Sequence, residues 1–384
     1  MPNDAITVEL GLPGLVVLEA VERPDRIDVA TEYANDEAVC PRCQRPTWQV
    51  HQRSKQRKRD LLLWGKAVWV YIWKRRFRCR ACRYVFMEDD PACGRRRRTT
   101  RRMRGEMANQ AQDATVRSVS RWHGVSEGLV LRSWVEQYGA VAAPTKPHVF
   151  IGLDGFCYRK PGRMWTGMWD IQTKKPVAVT PGERQQDIQK LLEKHAERDK
   201  VKAVVIDLHE PSRQAIHMAV PQAAIVADKF HVLALAQRAL QEVRGGRRLK
   251  GSNAWLMHHN VEHLTQEQAD RLAQALGEKP ELRQAWLLKE GLRAVYRSRD
   301  KEKAAEALDD WLKDAAKSGL KPFKRTAGSL RRWRQEVLNY WDHPLTNAMV
   351  EGKHNRVKVL KRRAYGYRND RTFSLRFLNC FHAN

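Results

Sequence analysis

Val-Phe-Ile-Gly-Leu-Asp (149–154) and Val-Lys-Ala-Val-Val-Ile-Asp (201–207) are two short apolar segments, and each ends in an aspartate. Their length and their β-branched residues predict buried strands. The surrounding sequence offers three more strand-like segments and two helical ones: strands at 164–171, 176–180 and 223–228, and helices at about 183–198 and after Pro211. Strands that are separated by helices predict a mixed α/β sheet.

The two aspartates, Asp154 and Asp207, end strands of this predicted sheet. Open α/β sheets place their sites at the carboxyl ends of the strands, so we expect the two carboxylates to lie close together. Neighbouring carboxylates repel each other unless a cation lies between them, and Mg²⁺ or Mn²⁺ prefers such oxygen ligands. The alternative is that each aspartate is only a strand-end cap or a turn residue.

The composition favours a polyanionic partner. The chain has 384 residues, which is enough for two or three domains, and its formal net charge is +27. A basic protein of the membrane surface is the competing interpretation, but the sequence has no run of about 18 apolar residues and no signal-like N-terminal segment. We therefore expect a nucleic acid as partner, no membrane partner, and a cytoplasmic location.

The positive charge is concentrated in residues 40–104, which hold 21 Lys and Arg residues against 4 Asp and Glu residues. Two Cys-x-x-Cys pairs lie in this segment: Cys40 with Cys43, and Cys79 with Cys82. Four thiolates in two such pairs predict one structural zinc ion with tetrahedral ligands. Two disulfides are the alternative, which the reducing cytosol disfavours.

The sequence between the two cysteine pairs predicts a hairpin, because residues 66–74 alternate like a strand. A hairpin between two knuckles is typical of a zinc ribbon. The other cysteines receive no ligand role: Cys93 is a spare candidate, whereas Cys157 and Cys380 are expected to be ordinary thiols.

An arginine-rich run follows the second cysteine pair and predicts contact with a phosphate backbone, with a solvated linker as the alternative. It contains Arg95, Arg96, Arg97, Arg98, Arg101 and Arg102. Residues 115–138 then predict two short helices around Gly124, with Trp122 facing inward and Ser126 as the N-cap of the second helix. This helix-turn-helix spacing predicts DNA binding by the second helix, through Ser126 and Arg132. An αα-hairpin without a DNA role is the alternative.

The C-terminal third predicts helices. Residues 232–340 have helical periodicity and almost no strand signal, so we expect an all-α insertion. Glu351 should lie on a helix at about 345–361, with Asn347 near the same face. The basic residues of and after this helix predict a nucleic-acid groove, with a solvated basic face as the alternative: Lys358, Lys361, Arg362 and Arg363.

Several motifs together resemble the DDE transposases of the ISL3-type bacterial insertion sequences. The resemblance covers nearly the whole chain: the cysteine pairs, the helix-turn-helix, Ile-Gly-Leu-Asp-Gly-Phe (151–156), Val-Ile-Asp-Leu (205–208), Ala-Asp-Lys-Phe-His-Val (227–232) and the block 346–368 around Glu351. It implies a ribonuclease H-like catalytic domain. It also implies that Asp154, Asp207 and Glu351 are the acidic triad and ligands of two magnesium or manganese ions.

By this resemblance, the chain is a DNA transposase that binds the terminal inverted repeats of an insertion sequence, cleaves DNA and joins it to a target. Its partners would be double-stranded DNA and further copies of itself, as a homodimer or higher oligomer, at the bacterial nucleoid. The expected domains are a zinc ribbon with N-terminal strands (1–94), a basic segment with the helix-turn-helix (95–142), and the catalytic domain (148–384) with its insertion at about 232–340.

The role of Asp228 and His231 stays open, and the sequence departs from the family pattern at Gly155. Asp228 and His231 resemble the acid-x-x-His signature of related transposases, or else they are a helix-start pair with a capping aspartate. The family pattern has glutamate after the first acid, whereas this chain has Gly155.

A non-catalytic DNA-binding regulator derived from a transposase is the alternative function, and a structural RNA-binding protein is a third one.

Overall fold

The computed structural model describes residues 11–140, 147–159, 162–245, 255–364, 367 and 369–379. The chain forms two compact units, residues 1–141 and 142–384.

A five-stranded sheet dominates the N-terminal unit. Its strands are β1 (Leu15–Glu22), β2 (Arg26–Tyr33), β5 (Val50–Arg59), β6 (Ala67–Arg78) and β7 (Val85–Met87), in the order β1-β2-β6-β5, with β7 also paired to β6. The short strands β3 (Ala38–Val39) and β4 (Pro46–Thr47) pair separately. The β5–β6 hairpin lies between the two cysteine pairs, so the predicted hairpin is confirmed.

The side chains of β6 alternate between two faces of this sheet. Val68, Val70 and Ile72 are buried and pack with Ile27 and Val29 of β2 in an apolar core. Residues of opposite parity point to the other face, since successive side chains of a strand alternate. The hydrophobic core of the sheet is therefore one-sided.

Three helices complete the N-terminal unit: α1 (Arg101–Asp113), α2 (Val116–His123) and α3 (Glu127–Tyr138). Gly124 ends α2 with the left-handed φ of 61° that glycine tolerates, and the Ser126 hydroxyl accepts a hydrogen bond from Leu129 N at the start of α3. The predicted helix pair and its cap are thus confirmed. The inward position predicted for Trp122 is wrong, because 55% of that residue is exposed.

The C-terminal unit contains a second five-stranded sheet in the order β10-β9-β8-β11-β12. Its strands are β8 (Phe150–Arg159), β9 (Arg163–Asp170), β10 (Lys175–Pro181), β11 (Ala203–Ile206) and β12 (Ala224–Ala227). The first three strands form an antiparallel meander, whereas β11 lies parallel to both β8 and β12. This mixed sheet confirms the predicted α/β fold class of the ribonuclease H-like type.

Helices α4 (Gln185–Glu193) and α5 (Glu210–Ala219) connect these strands, and α6 (Lys229–Gly245) follows β12 directly. The chain then continues in helices with their own apolar core. They are Gln266–Gly277, Pro280–Val295, Lys301–Lys317, Lys321–Arg332 and Arg334–Leu338, with a 3-10 turn at Val261–His263. No strand lies within the described residues 229–245 and 255–338, as predicted for an all-α insertion.

Two helices end the described chain. Ala348–Arg363 begins after Asn347, three residues later than predicted, because residues 345–347 are held outside the helix by other contacts. Helix Asp370–Asn379 places Phe373 and Phe377 against Trp165 and Trp169 of β9 in a small aromatic core.

Candidate active site and metal centres

Three aspartates align across the parallel part of the C-terminal sheet. β11 pairs with β8 through Val205 opposite Gly152, and with β12 through Ile206 opposite Ala227. Continuing both registers past the paired residues places Asp207 opposite Asp154 on one side and opposite Asp228 on the other. The three acids therefore share one row and one face at the carboxyl edge of the strands.

The position of Asp154 differs from the prediction in one respect. Asp154 does not end its strand, because β8 continues to Arg159 as a hairpin with β9. The parallel neighbour β11 stops earlier, at Ile206. Asp154 consequently lies just beyond the edge of the parallel ladder although its own strand is longer.

The environment of Asp154 disfavours its charged form. Burial of the carboxyl, and next the charge of Asp207, raise the pKa of Asp154 to about 7. A second carboxylate beside a half-buried one raises its pKa because the two negative charges repel each other. A bound cation would remove this repulsion and stabilise both carboxylates in their charged form.

His231, on the first turn of α6, lies between two of these acids. Its Nδ1 is 2.9 Å from Asp207 Oδ1 and 3.0 Å from Asp228 Oδ2, and the hydrogen bond is formed with Asp228. The contacts with Asp207 and Asp228 raise the pKa of His231 to about 10, which favours the imidazolium. Asp207, Asp228 and His231 offer ligand atoms that lie within 4.8 Å of one another.

Asp228 is buried and connects three elements. Its Oδ1 accepts hydrogen bonds from Thr346 Oγ1 at 2.8 Å and from Asn347 N at 3.2 Å, while Oδ2 faces His231. Burial works to raise the pKa of Asp228, but these hydrogen bonds outweigh it and hold the pKa below its usual value. The carboxylate therefore ties the start of α6 to the segment that precedes helix Ala348–Arg363.

Asn347 connects the start of the helix Ala348–Arg363 to strands β8 and β11. Its side-chain Nδ2 donates to Leu153 O at 3.1 Å and to Val205 O at 3.4 Å, the carbonyls of β8 and β11 next to the aspartate row. Gly152 makes room for this side chain, because a Cβ atom there would come within 2.4 Å of Asn347 Oδ1. Helical spacing predicted Asn347 near the Glu351 face of the helix, whereas Asn347 lies in this buried bridging position.

Glu351 lies in the first turn of helix Ala348–Arg363, one helical turn after Asn347. The placement of its side chain is outside the described part of the structure. The backbone position still matters, since the helix start is anchored to all three aspartate-bearing strands through Thr346 and Asn347.

The residues of the row fit a divalent cation. Asp207 Oδ1 is buried and forms no hydrogen bond with any described residue, although it contacts the His231 ring. Asp207 Oδ1 keeps one lone pair for a cation beside its contact with His231, since a carboxylate oxygen has two. Together with the Asp154 carboxyl, it offers the hard oxygen donors that Mg²⁺ and Mn²⁺ prefer.

The four predicted zinc ligands converge in the N-terminal unit. Cys40, Cys43, Cys79 and Cys82 place their sulfur atoms within 4.8 Å of one another. The Cys40–Cys82 and Cys43–Cys79 sulfur distances are 3.6 and 3.5 Å, too long for disulfides. Cys93 is buried elsewhere, in the core of the sheet.

The two cysteine knuckles have the same backbone geometry. Cys40 N donates to Arg45 O, and Cys40 O accepts from Gln44 N. In the second knuckle, Cys79 N donates to Tyr84 O, and Cys79 O accepts from Arg83 N. Backbone N–H groups, first that of Cys82, lower the pKa of Cys79 to about 6. A backbone N–H works to lower the pKa of Cys43, but burial and the neighbouring sulfurs outweigh it and raise that pKa to about 11. Zinc would bind all four sulfurs as thiolates.

The predicted DNA-contacting residues fall into two groups. Arg95, Arg96, Arg98, Arg101, Arg132, Lys358, Arg362 and Arg363 are exposed. Others have structural partners: Arg102 Nε donates to the buried Asp60 at 3.0 Å, Arg97 pairs with Glu136 at 3.2 Å, and Lys361 donates to Cys157 O. Ser126 is exposed, but its hydroxyl caps α3.

Comparison with known proteins decides the family. The family model of the ISL3-type DDE transposases, described as a transposase, matches residues 151–377, which include the whole aspartate row and Glu351. The chain belongs to this transposase family. A second family model, the zinc finger of the transposases of IS204, IS1001, IS1096 and IS1165, matches residues 36–82 and thus all four clustered cysteines.

Curated relatives agree with this assignment. The chain is 28% identical over 368 residues to the transposase for insertion sequence element IS1001 of Bordetella parapertussis, covering 90% of this chain and 89% of the relative. It is 27% identical over 253 residues to the transposase for IS1557 of Mycobacterium tuberculosis, covering 57% of each chain. Within the described residues, none of the helices is both long enough and apolar enough to cross a membrane.

Proposed function

We propose that this ISL3-type transposase binds the terminal inverted repeats of an insertion sequence, cleaves DNA at the ends of the element and joins the freed ends to target DNA. Asp154, Asp207 and Glu351 are the proposed catalytic triad. The observation that carries the proposal is the aspartate row, next to an anchored helix that bears Glu351.

The three carboxylates would hold two Mg²⁺ or Mn²⁺ ions. When bound by Asp154, Asp207 and Glu351, these ions would supply the Lewis acid for hydrolysis of DNA and for strand transfer. The residues of the chain supply the negative charge and the fixed geometry. The raised pKa of Asp154 supports this role, because burial, and next the charge of Asp207, disfavour the charged carboxylate until a cation compensates them.

Asp228 and His231 are proposed as positioning residues. Both oxygens of Asp228 already accept hydrogen bonds, from Thr346, Asn347 and His231, so this carboxylate is less available as a metal ligand than Asp207. Its role is to fix the helix of Glu351 relative to the sheet. His231 contributes positive charge beside Asp207 and orients that carboxylate.

The N-terminal unit is proposed to read the DNA, with one zinc ion held by Cys40, Cys43, Cys79 and Cys82 in the ribbon and with α3 as the recognition helix. The exposed arginines Arg95, Arg96, Arg98, Arg101 and Arg132 would contact phosphates and bases. Catalysis on two ends also calls for a homodimer or higher oligomer on DNA. The domain limits proposed from the sequence, 1–94, 95–142 and 148–384, assign reading and cutting to separate parts.

A cleavage assay tests the proposal. Purified protein with Mg²⁺ and a duplex that carries the end of the element should bind the duplex and nick it at the element boundary. Asp154→Ala and Glu351→Ala should bind equally well and lose nicking. Binding without any nicking by the parent protein would favour the non-catalytic regulator, and nicking by both variants would contradict the assigned triad.

A further inference from the structure

The open face of the β5–β6 hairpin carries a ladder of aromatic rings between basic side chains. Trp69, Tyr71 and Trp73 of β6 are of the parity opposite to the buried Val68, Val70 and Ile72, so they share the face without the apolar core. Trp69 and Tyr71 are half-buried and Trp73 is 45% exposed. We use "aromatic ladder" for these three residues.

Basic residues of β5 lie directly opposite the rings. Lys55 pairs with Trp73, Arg57 with Tyr71 and Arg59 with Trp69 in the antiparallel register. The Lys55 ammonium lies 5.0 Å from the Tyr71 ring centre and 5.7 Å from that of Trp73, and the Arg57 guanidinium lies 4.2 Å from the Trp69 ring centre. Lys55 and Arg57 are exposed.

Neither the core nor the zinc site explains this face. The rings contribute nothing to the apolar core on the other side of the sheet, and the zinc ligands lie at the ends of β3, β6 and β7. Large aromatic side chains left on a solvent-facing sheet surface, interleaved with cations, mark an interaction site rather than packing. The charge of the alternating side chains selects an anionic partner.

We propose that the aromatic ladder binds single-stranded DNA: bases would stack on the rings and displace Lys55 and Arg57 from the ring faces, and these two cations would then hold the phosphates. Rings on alternate residues of a β-strand stand about 6.6 Å apart, which leaves room for the unstacked bases of an extended DNA single strand. Stacking of this kind needs unpaired bases, because a duplex buries its base faces within the stack. A broad sheet face also does not enter the major groove as a helix or a two-stranded ribbon does.

The ladder is continuous with the helix-turn-helix. Arg59 lies with its guanidinium 5.5 Å from the Trp69 ring centre and donates to His123 O, at the end of α2, at 3.2 Å. DNA bound at α3 as a duplex could therefore continue onto the ladder as an unpaired strand. Family membership makes DNA, rather than RNA, the strand to which we commit. The proposal itself stands on the sheet face and is independent of the catalytic triad.

The test measures binding of the full-length, zinc-loaded protein to a labelled oligo(dT) of twelve nucleotides and to a twelve-base-pair hairpin without any inverted-repeat sequence, by fluorescence anisotropy. Trp73→Ala should weaken oligo(dT) binding about tenfold and leave hairpin binding unchanged. Trp73→Phe, which keeps a ring, should bind oligo(dT) nearly as well as the parent. Trp64→Ala is the matched control, because Trp64 is 66% exposed in the turn of the same hairpin, away from the ladder.

Several results would overturn the proposal. They are no binding of oligo(dT) by the parent, equal losses for Trp73→Ala and Trp64→Ala, or equal losses on oligo(dT) and on the hairpin. Tighter binding of oligo(rU) of the same length than of oligo(dT) would also contradict the choice of DNA. Circular dichroism and zinc content of each variant verify folding, and Trp73→Phe keeps the test decisive if Trp73→Ala does not fold. These affinities are measured without cleavage, so a loss or a persistence of nicking in the triad variants would not alter them.

Discussion

At the scale of single residues, Asp228 is proposed to position the site rather than to bind the metal. It joins the start of α6, through His231, to Thr346 and Asn347 before the helix of Glu351. Removing its charge leaves those donors without their ionic acceptor, and hydrogen bonds to charged groups are the stronger ones. The site would then lose the fixed position of its third acid.

Asp228→Asn should therefore lower metal-dependent nicking by about 10- to 100-fold, the range for residues that orient metal ligands, while duplex binding stays unchanged. Nicking rates and gel-shift affinities measure the two effects. Asp370→Asn is the control, because Asp370 is a surface acid at the start of the helix Asp370–Asn379, where it pairs with Arg163. Nicking by Asp228→Asn at the parental rate would remove Asp228 from the site.

Gly152 has no space for a side chain. A Cβ atom there would meet Asn347 Oδ1 at 2.4 Å and Ile171 Cδ1 at 2.8 Å. Gly152→Ala should thus displace Asn347 from the carbonyls of Leu153 and Val205, lower the free energy of unfolding by about 1–3 kcal/mol, and reduce nicking. Thermal unfolding and the nicking assay measure both effects.

The control for Gly152 is Gly328→Ala. Gly328 lies within the helix Lys321–Arg332, and a Cβ atom there has nothing within 4 Å. Alanine in an open helical position stabilises by up to about 1 kcal/mol, so this variant should unfold no earlier than the parent. If Gly152→Ala and Gly328→Ala had the same effect on thermal unfolding, the close approach of Asn347 to Gly152 would not limit the residue at that position.

Asp154 predicts the pH dependence of metal binding. Its pKa is raised to about 7, so the carboxyl is protonated below that pH in the metal-free protein and charged above it. A cation must displace this proton, and the apparent Mn²⁺ affinity should fall as pH drops below about 7 and level off above it. Calorimetric titration from pH 5.5 to 8.5 measures this dependence. An affinity independent of pH across that range would contradict the assignment.

At the scale of elements, the zinc ribbon depends on a pair of matched knuckles that close on one another at the ends of β3 and β6. The strands β3, β4 and β7 beside the knuckles have only two or three residues, and only a few apolar side chains pack around the sulfur atoms. Metal binding supplies much of the folding free energy in such modules. The ribbon should therefore lose its structure with its zinc.

Cys79→Ser should abolish stoichiometric zinc, loosen the N-terminal unit and weaken duplex binding. Zinc content and proteolysis of the N-terminal unit measure these changes. Cys93→Ala is the control, since Cys93 is buried in the sheet core and is not one of the four clustered sulfurs; it should keep one zinc per chain. Full zinc content in Cys79→Ser, or its loss in Cys93→Ala, would contradict the ligand set.

The elements also show which features a sequence can predict. Alternation along β6, apolar runs before Asp154 and Asp207, and Gly124 followed by Ser126 predicted strands and helices close to those found, because they report local preference. Long-range contacts were beyond such patterns. Trp122 is exposed and Arg102 lies on Asp60, since tertiary partners rather than periodicity decide where those side chains go.

The site was predictable only in part for the same reason. The spacing of Asp154 and Asp207 equals the register offset of β8 and β11, so a correct sheet brings the two together. The bridging by Asn347 and the space at Gly152 link residues almost two hundred positions apart. No local pattern predicts such contacts, and only the resemblance to a family associated Glu351 with the two aspartates.

At the scale of the whole molecule, the charge and the acids have different roles. A net charge of +27 attracts DNA of any sequence and predicts binding that weakens steeply with salt. The aspartate row is a local cluster of negative charge, and a bound cation would offset its repulsion of DNA phosphates. The central claim is therefore that Asp154, Asp207 and Glu351 share one metal centre.

Iron-directed cleavage of the polypeptide tests this claim most directly. Fe²⁺ in place of Mg²⁺, with ascorbate and peroxide, generates radicals that cut the chain beside its bound metal. We predict cuts near residues 154, 207 and 351 together, suppressed by excess Mg²⁺ and lost in Asp207→Ala. Cuts near 154 and 207 without any near 351 would contradict a shared centre and remove Glu351 from the triad.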